Sequence, residues 1–514
     1  MDLSFGQVFT AVGRAVPAGD PALIHDGAVT TWGDFDRRTD ALAAAFAAAT
    51  VPGDKLAHLM RNGPAYSETV VAGFKARLVH VNVNYRYTGE ELFYILDNSD
   101  AAVLVYDPEF ADVVAALVPR LPKLKLVVAV GPEFDALAGS GAPPPLQDHR
   151  GDDLIFIYTG GTTGVPKGVM WAQADLWTLM GGGAEIGGVP LPHLDDLLAN
   201  IAAGRGRNRS LILPPQMHGT GLLATLSTLA RGGCVLTLPS RGFIPLEALA
   251  ACAAHQPNYA AIVGDAFARP LLAALDAGGG SISSLRTMLS SGTMWSPEVK
   301  AGLLRHNPGM MLLDALSSSE SLGIGTSVQT AATAGEATRF IKGVGTLVLD
   351  DAMQPVVPGS GVAGRIARGG LNPRGYYKDA AKSAATFVEI GGATFSIAGD
   401  WATVDVDGTI VLLGRGSHCI NTGGEKVFPE EVEEALKTHS AVDDALVFGV
   451  ADAKWGQAVT AIIAGSAVTE AELIAHVRAC LAPYKIPKRI VRCAEVPRAP
   501  NGKADYARAR ILAG

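Results

Sequence analysis

The side chains best suited to chemistry crowd into one stretch, YTGGTTGVPKG, at residues 158–168. Its glycines let the backbone wrap closely around a ligand, because no Cβ blocks positive φ. Successive amides in such a turn form a concave nest for an anion. Thr159, Thr162 and Thr163 add hydroxyl donors, and Lys167 adds a point charge suited to phosphate. Apolar residues 154–157 lead in and 169–171 lead out, the pattern of strand, loop and second short strand. A Walker loop needs GxxxxGK followed by Ser or Thr, whereas Gly164 is followed here by Val165 and Pro166. The stretch reads as a different grip on nucleotide phosphates, against the competing reading of a glycine-rich surface turn.

Other reactive residues lie just beyond apolar runs. His218, in PPQMHGTG, either lines a cavity or caps the helix that follows. Glu320, in DALSSSE, is on its own an ordinary surface or cap acid. Lys503 follows Pro-Asn-Gly, a tight turn that fixes where its side chain points. His/Cys spacing gives no metal site: Cys234, Cys252, Cys419, Cys480 and Cys493 are odd in number, far apart and without a CxxC pair.

These residues need a scaffold. Residues 1–150 alternate Ala-rich helical patterns, such as 40–49, with β-branched runs at 102–105 and 126–130. The alternation resumes after the glycine-rich loop: strands at 211–213, 234–238, 260–263 and 310–313, helices at 221–230 and 246–254. Repeated βα units predict a parallel sheet with ligands at the carboxyl ends of its strands. From Ser417 the pattern changes to a helix at 429–436, strands at 445–450 and 458–463, a helix at 470–479 and a strand at 489–493, enough for a small α+β domain.

Composition bounds the function. A chain of 514 residues, 48% apolar, accommodates two or more domains with a large core. Its net charge of −8 argues against general binding to nucleic acid or anionic membranes. No apolar run is long enough to span a bilayer, and no signal-peptide pattern opens the chain. Few, scattered cysteines fit a reducing compartment. The expectation is a cytoplasmic protein, with a homodimer left open.

Taken together, YTGGTTGVPKG, VNVNYRYTGEEL, PPQMHGTG, SSGTM, DALSSSE, AGDW, LGRG, NTGGE and PRAPNGK resemble, in order, the motifs of the adenylate-forming superfamily, which contains acyl-CoA synthetases, luciferases and peptide-synthetase adenylation domains. The resemblance implies an α/β fold: a large N-terminal domain of parallel βα sheets (1–414) with a small, mobile α+β C-terminal domain (415–514). It implies ATP, Mg²⁺ and coenzyme A. The triphosphate would lie under Thr159, Gly160, Gly161, Thr162, Thr163, Gly164 and Lys167. Gly292, Asp314, Ala315 and Leu316 would border the adenine, and Asp400 and Arg415 the ribose. Glu320, with Ser319, would hold Mg²⁺, and His218 would border the reacting carboxylate. Lys503 would be the catalytic lysine, and Gly423, Gly424 and Glu425 would line the thiol channel. Arg86 would sit in an internal ion pair, and the GYYKD segment would be scaffold.

This sequence departs from the family pattern at Gly160 (usually Ser), Leu316 (usually Tyr), Ser319 (usually Thr) and His418 (usually Asp or Lys, at the hinge). The implied function is two-step ligation of a small-molecule carboxylic acid to coenzyme A. Gly221, Gly264, Gly323 and Gly325 would leave room for the acyl group, and Met217, Phe267 and Leu322 would wall it. VNVNYRY, SSSE and GRGSHCINTGGEKVFPEEVE look like bacterial synthetases for medium- or long-chain fatty acids or bulky sterol-derived acids. An aryl-CoA ligase is the runner-up. A non-catalytic nucleotide-binding protein would have no use for Lys503, Glu320 and Lys167 together. An amino-acid-activating module would offer an ammonium-binding Asp where Gln216 and Met217 stand.

Overall fold

The structure of the chain, a computed structural model, describes residues 3–145, 148–159, 166–184, 189–191, 193–293, 295–422, 425–452, 456–481, 483–499 and 502–514. Its first sheet has six strands, in the order Leu126–Ala129, Ala101–Tyr106, Lys55–Leu59, Val79–Asn82, Leu154–Thr159 and Lys167–Ala172. All pair in parallel except the last two, an antiparallel pair that carries the ends of the glycine-rich stretch. Strands such as AAVLVY are buried almost throughout, which is why they read as unbroken apolar runs.

The second sheet has nine strands. Six neighbours in it are parallel: Met311–Ser318, Thr287–Ser291, Tyr259–Ile262, Arg209–Ile212, Cys234–Thr237 and Pro21–His25. One hydrophobic core draws on both sheets and on the helices Phe5–Ala15, Trp32–Ala49, Pro64–Lys75 and Gly219–Leu229. The expected strands and helices are present, most with ends shifted by one to a few residues and some extended further. Helix 40–49, for example, is the end of Trp32–Ala49, whose start is set by Thr31 accepting from the Asp34 amide.

A third sheet differs from the expected parallel pattern. Six antiparallel strands between Thr346 and Arg415 pack around Ile324, Phe340, Ile366 and Ile410. Its short strands carry glycine-rich turns and little βα periodicity, so no repeat announced it.

The C-terminal unit is α+β. Its five-stranded sheet contains Ile420–Thr422, Glu425–Val427, Asp444–Asp452, Gly456–Ala464 and Arg489–Arg492. Helices Pro429–Lys437 and Glu470–Cys480 cover one face, and helix Tyr506–Ala513 covers the other. No helix among the described residues is long and apolar enough to cross a membrane.

Candidate active site

Four parallel strands of the nine-stranded sheet deliver the site. Arg209–Ile212 leads to His218, Tyr259–Ile262 to Gly264, Thr287–Ser291 to Gly292, and Met311–Ser318 to Ser319 and Glu320. The chain passes from Arg209–Ile212 to Cys234–Thr237 on one side, then to Tyr259–Ile262 on the other. That reversal of direction opens a crevice at the carboxyl ends of the two strands flanking it. The ends are stitched together: Thr220 Oγ1 donates to Ser291 O (3.4 Å) and Ser291 Oγ to Ala315 O (2.8 Å).

His218 stands at the N-cap position of helix Gly219–Leu229 but makes no side-chain cap bond. Of the two readings open for it, local backbone capping is not what the side chain does. Burial, with the positive charges of Lys503 and Arg86 nearby, lowers its pKa to about 4, so it is neutral. Ser319 and Glu320 form the turn between antiparallel strands Met311–Ser318 and Ser321–Gln329, with Ser318 opposite Ser321. Trp171 Nε1 donates to Ser319 O (2.8 Å), and the Tyr376 hydroxyl donates to Glu320 Oε1 (2.9 Å). The carboxylate is therefore held, with lone pairs left for a cation.

Asp400 and Arg415 lie opposite each other on paired strands, and Arg415 Nε donates to Asp400 Oδ1 (3.2 Å). Asp400, and after it Glu320, keep the Arg415 charge favoured. Lys503 comes from the C-terminal unit into the same place. It follows Gly502, whose φ is +78° and where an added Cβ would lie 2.8 Å from Ala266 Cβ. Only a glycine lets this turn sit so close to the start of helix Gly264–Asp276. The Lys503 side chain is solvent-accessible yet surrounded, as in a cleft. Desolvation and then Arg415 lower its pKa, while Glu320 and Asp400 oppose the shift. Lys503, Arg415, Glu320, Asp400 and His218 thus share one electrostatic neighbourhood.

Other expected residues are placed differently. Asp314 is buried in an ion pair with the fully buried Lys300, so its side chain is committed to the scaffold and only backbone is on offer there. Leu316 packs against the third sheet's core. Gly292 has a φ of +99°, which explains a glycine after Ser291. Lys167 pairs with Asp379 at 2.5 Å. Thr159 ends its strand opposite Lys167. Gly160, Gly161, Thr162, Thr163 and Gly164 lie outside the described residues, as do Gly423 and Gly424. Glu425 pairs with Thr422 across two antiparallel strands.

Arg86 has no carboxylate within ion-pair reach among the described residues. It lies 5.5 Å over the Tyr85 ring, correcting the expected internal ion pair. Gly221 and Gly325 are packing glycines: an added Cβ would meet Pro215 O at 2.3 Å and Ile341 O at 2.9 Å, respectively. Phe267 is buried, with its ring 4.9 Å from that of Phe243.

The contacts of three residues were not legible in the motifs. Tyr376 and Asp379 belong to the segment read as scaffold, yet hold Glu320 and Lys167. Asn82 is buried and binds three backbone atoms. Its Nδ2 donates to Tyr158 O (2.9 Å) and Met217 O (2.7 Å), and its Oδ1 accepts from the Tyr158 amide (2.6 Å). It ties the strand entering the glycine-rich stretch to the segment carrying His218.

The sequence profile of the AMP-binding enzyme family matches residues 9–377, and that of its C-terminal domain matches residues 431–503. The chain is 40% identical to the 3-oxocholest-4-en-26-oate–CoA ligase of Rhodococcus rhodochrous, over 96% of this chain and 93% of the relative. It is 37% identical to the medium-chain acyl-CoA ligase Mig of Mycobacterium avium, over 97% of each. Among solved structures, an anthranilate CoA ligase, AuaEII, in complex with anthranoyl-AMP superposes with a TM-score of 0.85, covering 99% of this chain and 97% of that one at 20% identity. At that identity the likeness speaks for the fold alone.

Proposed function

The chain belongs to the AMP-binding enzyme family as an AMP-forming acyl-CoA synthetase, and from that premise we propose that it activates a sterol-derived or medium- to long-chain fatty acid for thioester formation, in the cytoplasm. The observation that carries the site assignment is the close packing of Gly502 on Ala266, which brings Lys503 into the electrostatic neighbourhood of the Arg415–Asp400 pair, Glu320 and His218.

In the first step a carboxylate oxygen bonds to the ATP α-phosphorus, and the bond to the leaving pyrophosphate breaks. Two anions must meet, so positioning and charge stabilisation dominate the barrier. Lys503 places its ammonium between carboxylate and α-phosphate. Asp400 accepts from the ribose diol, and Arg415 steadies both Asp400 and the phosphate side. Lys167 and the glycine-rich stretch take the outer phosphates. Neutral His218 borders the carboxylate without adding a charge.

The Mg²⁺ that accompanies ATP neutralises phosphate charge. Magnesium is commonly held by one or two carboxylates plus phosphate oxygens and water, and Glu320 with Ser319 offers such a donor set. Among the described residues no cluster of three or more His, Cys, Asp or Glu could cage a metal alone.

In the second step the C-terminal unit, residues 415–514, rotates about His418. Lys503 withdraws, and Gly423, Gly424 and Glu425 come to border the thiol arm. The thiolate, having given its proton to solvent, attacks the acyl carbon, and AMP leaves with the bonding pair. A mass-spectrometric panel of acids with ATP and coenzyme A, read for both adenylate and thioester, tests this. Turnover of decanoate and of 3-oxocholest-4-en-26-oate is expected. Activity confined to acetate or hydroxycinnamates would overturn the acid class.

A further inference from the structure

We propose that Lys437, on the C-terminal unit, is a positioning residue: with Asp265 and Ser296 of the large unit it forms a reversible latch that holds Lys503 in the cleft for the first step. The inference rests on the two-step reading above and adds residues that take no part in the chemistry.

Lys437 ends helix Pro429–Lys437, and its side chain is only 5% exposed. Its ammonium lies 3.6 Å from Asp265 Oδ2 and donates to Ser296 Oγ at 3.2 Å. Glu434, one turn earlier on the same helix, pairs with Lys437 and lies 3.3 Å from Ser296 Oγ. The Asp265 carboxylate is held on its own side of the contact as well, accepting from the Ser296 amide (2.9 Å) and hydroxyl (2.5 Å) and pairing with Arg269 (3.0 Å).

Position makes this contact more than surface adhesion. Asp265 adjoins Ala266, the residue against which Gly502 packs. The latch and the turn carrying Lys503 therefore dock on the same first turn of helix Gly264–Asp276, and neither can leave it alone. The charge arrangement also suits repeated release. Parted from Lys437, Asp265 keeps Arg269 and Ser296, while Lys437 keeps Glu434, so neither unit is left with an unpaired buried charge. A buried ion pair adds little net stability over an apolar contact, but it can fix one arrangement.

The test separates the half-reactions in Lys437→Met and Asp265→Asn, with Lys503→Ala alongside. ATP–pyrophosphate exchange with decanoate reads the first step, and thioester formation from supplied decanoyl-adenylate reads the second. Each latch variant should lose exchange by about ten- to a hundredfold, as for losing hydrogen bonds to a charged group. Thioester formation should stay within about twofold or rise, and the double variant should be no worse than the worse single one. Equal losses in both steps would mark a merely structural role and overturn the latch, as would unchanged exchange. Asp265→Asn, which keeps shape, carries the test if Lys437→Met does not fold. If Lys503→Ala retained exchange, the two-step reading itself would fall. If only Lys503→Ala split the steps, the latch alone would.

Discussion

Lys503→Ala probes the site most directly. The ammonium is the one cation that the C-terminal unit is proposed to place between two anions, in a cleft where Arg415, Glu320 and Asp400 already set the field. A unit charge about 4 Å from a developing negative charge is worth about 1 kcal/mol in water and about 4 kcal/mol at the dielectric of a protein surface. Lys503 is solvent-accessible but hemmed in, so the upper part of that range applies. Loss of one preorganised charge donor then slows the first step by about 10²- to 10³-fold. Thioester formation from supplied acyl-adenylate should be spared, because the proposed rotation withdraws the lysine in that step. Folding should be nearly unaffected, within about 0.5 kcal/mol, since an accessible side chain is being shortened. ATP–pyrophosphate exchange, thioester formation and urea denaturation read the three quantities. Near-normal exchange in the variant would refute the assignment.

Gly414→Ala should destabilise the junction between the units by about 1 to 3 kcal/mol in denaturant melts, because Gly414 has a φ of +119°, a conformation that L side chains rarely adopt, and the Glu430 carboxylate would also have to shift from the added Cβ; an unchanged melt would contradict that geometry. Asp379→Asn frees Lys167 from a solvent-screened pair, so the KM for ATP should fall about two- to fivefold, and a rise would show that Asp379 orients the lysine rather than competing for it. Acid should destabilise the fold: burial lowers the pKa of His80, and of His218 where Lys503 and Arg86 add to it, to about 4, so both bind fewer protons folded than unfolded. Stability is then full above about pH 6.5 and falls toward pH 4, by up to about 1.4 kcal/mol per unit for the fully buried His80, and His80→Asn should flatten the denaturation profile there.

Apolar periodicity located the parallel strands because buried strands of this kind carry their signal locally. The same holds for the C-terminal unit, where helix Pro429–Lys437 and strand Asp444–Asp452 lie where the pattern put them. Glu320, Asp400, Arg415 and Lys503 were found through short motifs, and their gathering follows from chain topology. What the sequence concealed is longer in range. Tyr376 reaches Glu320, Asp379 reaches Lys167, and Asn82 reaches both Tyr158 and Met217. No spacing rule links such partners, since each contact exists only once separate elements have packed. Gly221 misled for a related reason: a missing Cβ looks the same in sequence whether it leaves room for a ligand or for Pro215.

The placement of the lysine follows from the chemistry. Both half-reactions use the acyl carbonyl and phosphate region, but they need opposite surroundings: positive charge when carboxylate meets triphosphate, and open access when a thiolate approaches an adenylate. A lysine fixed on a strand end of the nine-stranded sheet would serve the first and obstruct the second. Residues wanted in both steps, Glu320, Asp400 and His218, sit on strands or strand ends of the large unit. The one that must leave is carried on a turn, with Gly502 letting it approach Ala266 closely and Lys437 binding beside it at Asp265. In the proposed two-step reaction, a charge needed only part of the time is thus carried on the part of the chain proposed to remove it.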